Sequence, residues 1–112
     1  MTKARAAEMK EAQTRLREIL RPGNTVLTTV KHVSQSGMLR VIDAHVIKRG
    51  KPIWLSSLIA RALDMPLDKR DRGVRVGGCG MDMGFALVYD LSFHLWPKRG
   101  PRAGYLLNQQ WM

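Results

Sequence analysis

Cysteine occurs once in the 112 residues. That excludes an internal disulfide and any zinc knuckle built on Cys pairs, and it fits a reducing compartment. Aromatic residues make up only 6% of the chain, which argues against a single-strand binder built on a row of stacked rings. No apolar run approaches the roughly 18 residues of a membrane span, and the N-terminus lacks a signal peptide's apolar core. Cytoplasmic residence without a membrane partner is the expectation. Acidic residues are also few: 9 stand against 19 Lys and Arg, for a formal net charge of +10. Only six of those carboxylates lie beyond residue 20, so a paired-carboxylate acid/base site has few possible members. The same imbalance favours a partner bearing phosphates or an acidic protein surface.

What is present is enough to fold. Hydrophobic residues are 45% of the chain, so it can bury a core, and its length suits a single domain spanning 1–112. The charge is uneven, with an excess of +3 over 1–24, +4 over 25–51, none over 52–96 and +3 over the basic tail 97–112. An uneven field steers ligands better than a diffuse one.

Met9, Ala12, Leu16, Ile19 and Leu20 recur at helical spacing, which predicts an amphipathic helix over 3–20, capped by Thr2 and stopped by Arg21-Pro22-Gly23. Its outward residues Lys10, Arg15 and Arg17 form either a phosphate-facing surface or a plain solvated one, with Glu11 placed to support Arg15. The core region 25–96 begins with two β-branched stretches, 25–33 and 40–47, on either side of Ser34-Gln35-Ser36-Gly37, the composition of a β-hairpin. A second turn over 48–52 leads to a short third strand at Ile53-Trp54-Leu55. Next comes a brief helix from Leu58 to Leu63 capped by Ser56 or Ser57. A charged loop over 68–73 and the strand end Val74–Val76 enter a glycine cluster. The apolar segment Met81–Trp96 reads as a helix on its length, although its alternation also fits a strand. The expected architecture is α+β: N-terminal helix, antiparallel hairpin or small sheet, short helix, Gly-rich turn and apolar C-terminal helix packed on the sheet.

Three constellations can carry chemistry. The cationic one is Lys31, Arg40, Lys48, Arg49 and Lys51 on the hairpin and its following turn. Ser34, Gln35 and Ser36 at the tip are available to phosphates or base edges. The second is the turn Gly77-Gly78-Cys79-Gly80 with Asp82, whose backbone N–H groups can form an anion nest beside a helix start. It is neither a Walker loop nor a dinucleotide fingerprint, and a sharp ligand-free turn is the commoner use of such glycines. Cys79 there needs a histidine to act as a nucleophile, and His32, His45 and His94 are all distant in sequence. The third depends on hairpin register: an odd index sum, such as His32 opposite Val41, puts His32 in the same alternating set as Asp43 and His45, and an even sum separates them. No ligand spacing supports a metal, and no cofactor is expected. Asp82 suits a helix cap, and Asp90 and His94 lie one turn apart, close enough to pair.

The stretch Val33-Ser34-Gln35-Ser36-Gly37-Met38, followed by Arg40 and Ile42-Asp43, is the first of two distinctive motifs. The second is Gly77-Gly78-Cys79-Gly80-Met81-Asp82-Met83-Gly84-Phe85 with Leu87-Val88-Tyr89. Together they resemble small phage and prophage proteins of unassigned activity over roughly 25–96. That resemblance implies an accessory role in a host cytoplasm, including inhibition of host defence in the manner of anti-CRISPR proteins, and it transfers no catalytic residue. The expected mode of action is binding, to nucleic acid or to a nucleoprotein defence complex. The rival is a small enzyme or ligand-binding protein with its site at Gly77–Gly84. A homodimer formed through the apolar segment or the Trp111 tail is a third reading.

Overall fold

The computed structural model describes residues 2–23, 25–33, 39–68, 73–77, 83–99 and 110–111. Helix α1 (Lys3–Ile19) starts at Thr2, whose side chain accepts from the Arg5 N–H at 3.2 Å. It ends at Leu20, and Gly23 follows at φ 84, a left-handed conformation that glycine adopts without penalty. Ala12, Leu16 and Leu20 are buried at four-residue spacing, which fixes the face α1 turns to the core.

Strands β1 (Thr28–Val33) and β2 (Leu39–Lys48) form the expected antiparallel hairpin, with His32 opposite Val41. Strand β3 (Lys51–Trp54) pairs with the far end of β2, and β5 (Gly73–Gly77) pairs with its beginning. The two-residue strand β4 (Leu67–Asp68) pairs with β5. It opens the segment expected as a charged loop. Strand β6 (Gln110–Trp111) runs parallel to β1 against Thr28 and Thr29. The basic tail therefore returns to the sheet. The sheet order is β4-β5-β2-β1-β6, with β3 also on β2.

Helices α2 (Ser56–Ala62) and α3 (Met83–Leu95) complete the α+β fold. In β2 the alternate residues Ile42, Ala44 and Val46 are buried. They share one core with Leu16 and Leu20 of α1, Ile59 of α2 and Leu87, Leu91 and Leu95 of α3. A buried stripe at helical spacing is why the segment from Met83 is a helix despite its strand-like alternation.

Side chains of α1 close the ends of both other helices. Gln13 donates to the Ala62 carbonyl at 3.0 Å and Arg17 donates to the Leu95 carbonyl at 3.3 Å, so each satisfies a terminal carbonyl left open by the helix. Arg17, although exposed, is held over the C-terminus of α3 by this bond. No ion pair joins Glu11 to Arg15 among the described residues. Helix α2 ends in a Schellman motif: Met65 N–H donates to Ala60 O at 2.8 Å, and Asp64 takes the left-handed position at φ 52. The Arg5 guanidinium holds that residue through Nε at 2.6 Å and Nη2 at 2.5 Å, both to Oδ1.

Ser56 corrects a sequence expectation. Leu55 is the N-cap of α2, without a side-chain cap, and the Ser56 hydroxyl accepts from the Ala44 N–H at 3.1 Å. Ala44 lies where β5 has ended and the β3 ladder has just stopped. Ser56 Oγ and the Leu55 N–H, which donates to Ala44 O at 2.9 Å, fill that gap in the edge of β2. A buried backbone pair would otherwise go unsatisfied.

Candidate nucleic-acid interface

Lys48-Arg49-Gly50-Lys51 closes a two-residue hairpin. Arg49 (φ 54) and Gly50 (φ 75) both have positive φ, as a type I′ turn requires, and this turn matches the twist of the flanking strands. The two-residue loop fixes the pairing: Lys48 faces Lys51, Ile47 faces Pro52, Val46 faces Ile53 and His45 faces Trp54. Lys48, Arg49 and Lys51 are exposed, and none forms a salt bridge among the described residues. Two local penalties are built in. A non-glycine residue in the left-handed region costs roughly 1 kcal/mol, and like charges placed directly opposite across a hairpin repel.

The five expected cations do not form one cluster. Lys31 pairs with Ile42 and Arg40 with Val33, at the beginning of β2, whereas Lys48 closes its end. The eight steps from Arg40 to Lys48 amount to about 26 Å of extended strand. The single patch expected from sequence is therefore divided, because β2 is one long strand that carries Arg40 near its start and Lys48 at its end. Ser34, Gln35 and Ser36 lie outside the described residues, and of Lys31 and Arg40 only the backbone is described.

The register resolves the third constellation. With an odd index sum, the register places His32 opposite Val41, in the alternating set of Asp43 and His45 rather than that of Ile42, Ala44 and Val46. His45 lies against Trp54, with ring centroids 4.7 Å apart and planes tilted by 50°. Its Nδ1 is buried and has no hydrogen-bond partner among the described residues. No group of three or more His, Cys, Asp or Glu is arranged to hold a metal among the described residues. His94 pairs differently from expectation: its Nδ1 donates to the backbone carbonyl of Asp90 at 2.9 Å, which sets the tautomer.

Of the glycine-rich constellation, Gly77 is the last residue of β5, and Gly78, Cys79, Gly80 and Asp82 lie outside the described residues. A separate cleft of about 230 Å³ between α1 and α2 is lined by Arg5, Glu8, Ser57, Arg61 and Asp64. Two of its four charged residues, Arg5 and Asp64, are paired with each other.

Sequence reasoning missed Trp54 as a surface residue. It is 58% exposed, as is Ile47 two rungs nearer the turn. The signal was available in part: Arg-Gly between two β-branched stretches marks a two-residue turn, and that turn alone sets Trp54 opposite His45. Which side the helices cover was not legible. No helix among the described residues is long and apolar enough to cross a membrane. Comparison with known proteins returns no matching family model, no matching curated protein and no matching solved structure.

Proposed function

We propose that this protein acts by binding nucleic acid, through the cations displayed at the β2–β3 turn. In keeping with its resemblance to phage proteins, we place it in a host cytoplasm as an accessory protein. There it engages the nucleic acid of a nucleoprotein defence complex in the manner of anti-CRISPR inhibitors. The observation that carries the reading is the cluster Lys48, Arg49 and Lys51: exposed, without a salt bridge among the described residues, and held at a turn that tolerates two local penalties. Surface charges kept at a cost to stability, in a chain of net charge +10, are best explained by a ligand that neutralises them. The backbone supports the cations well, because the β2–β3 ladder anchors both sides of the turn.

Fluorescence anisotropy of labelled oligonucleotides at rising salt tests this. Binding at low salt, with the logarithm of the association constant falling linearly against the logarithm of salt concentration, is the expected result. Arg49→Glu combined with Lys51→Glu should weaken binding to all sequences alike and reduce the salt slope by about one for each phosphate that is no longer neutralised. Absence of binding to any DNA or RNA at low salt rejects the proposal.

A further inference from the structure

We infer that Trp54 is a stacking platform for a base of single-stranded nucleic acid, which makes the ligand of the β2–β3 arm an unpaired strand rather than a duplex. This inference rests on the nucleic-acid reading above and specifies its ligand. An indole is among the most costly side chains to leave in water, yet Trp54 is 58% exposed, beside Ile47 at 58% and exposed Pro52. It is also fixed in place. The His45 ring packs against it at 4.7 Å, and the next residue, Leu55, is fully buried with its N–H donated to Ala44 O. A ring held this way loses little freedom when a ligand stacks on it.

Charge decides the occupant. Lys51 is three residues from Trp54 along β3, about 10 Å, and Arg49 lies just beyond it in the turn. Lys48 and Lys51 belong to the alternating set opposite Trp54. They stand at the tip, however, and no strand pairs with the outer edge of β3 among the described residues. A phosphate chain can follow that edge from the turn to the indole. Aromatic faces next to backbone-tracking cations are how unpaired strands are held without sequence preference. A duplex offers the phosphates but buries its base faces, so it can use only half of this surface.

The test compares wild type, Trp54→Ala and Trp54→Phe on four labelled 12-nucleotide probes: a thymidine strand, an adenosine strand, an abasic strand of equal charge and a duplex. Far-UV circular dichroism checks that each variant folds. Stacking predicts that wild type prefers base-bearing strands to the abasic strand. Trp54→Ala should lose roughly 5- to 150-fold on base-bearing strands, with the abasic strand and the salt slope unchanged, and Trp54→Phe should recover part of the loss. Equal binding of abasic and base-bearing strands, or tightest binding to the duplex, overturns the inference and leaves the electrostatic reading standing. Failure of every probe to bind at low salt overturns both. If Trp54→Ala leaves strand binding intact and instead converts a dimer to a monomer in light scattering, the indole covers a second copy of the chain, and stacking is likewise overturned.

Discussion

Two non-glycine residues among those described adopt the left-handed backbone conformation, Asp64 after α2 and Arg49 in the β2–β3 turn, and their surroundings could hardly differ more. At Asp64 the cost is offset locally: a Schellman motif closes the carbonyls of α2, and Arg5 binds the carboxylate through two N–H groups. At Arg49 the left-handed conformation closes the β2–β3 ladder, but no side-chain hydrogen bond or ion pair among the described residues engages the guanidinium. The neighbouring rung opposes two lysines, and the side chains stand in water. One region uses its polar groups to close helix ends, and the other leaves its polar groups open. Local conflict that the fold does not resolve is expected where a ligand completes the structure.

Substitutions that separate the two regions sharpen this contrast. The largest effect belongs to the core: Leu91→Ala, at a fully buried position, should lose about 2–5 kcal/mol in urea denaturation. A loss below about 1 kcal/mol would mean that α3 is not part of the cooperative unit. Next, Ser56→Ala strands the Ala44 N–H in the gap of the β2 edge and should cost about 1–3 kcal/mol. Amide hydrogen exchange should locate the loss at Ala44. In the arm the sign reverses. Arg49→Gly should raise stability by up to about 1 kcal/mol by relieving the left-handed strain, while weakening oligonucleotide binding in the same preparation. Stability and affinity falling together would break the contrast. The smallest change comes from Lys48→Glu, which converts the like-charge rung into an opposite-charge pair and should add about 0.2–1 kcal/mol in thermal unfolding.

The difference between the regions also marks how far the sequence could be read. Helix α1 was legible to within a residue, because Thr2, the spacing of Ala12 and Leu16, and Pro22-Gly23 all act locally. The β1–β2 hairpin was clear from its β-branched stretches, although β1 starts at Thr28 rather than 25. The third strand reads from sequence as 53–55 after a turn over 48–52, whereas Lys51 and Pro52 already pair in β3 and Leu55 caps α2. Strand β6 was not legible, since two residues acquire strand geometry only by meeting Thr28 and Thr29, far away in the chain. Ser56 misled for the same reason. A serine before a helix has two uses for its oxygen, and the Ala44 N–H, which no strand pairs, decided between them.

The cationic surface was half legible. Composition named the basic residues, but only the length and pairing of β2 showed that Arg40 and Lys48 stand at opposite ends of one strand. By itself the sequence determined the α+β class, the positive charge, the start and stop of α1 and the presence of a turn within 48–52, because these depend on residue type and on neighbours within a few positions. Tertiary structure alone decided which face of β2 the helices cover, and therefore that Ile42, Ala44 and Val46 are buried while Ile47 and Trp54 meet water. Alternation divides a strand's residues into two sets. Only packing against distant elements determines which set becomes the core.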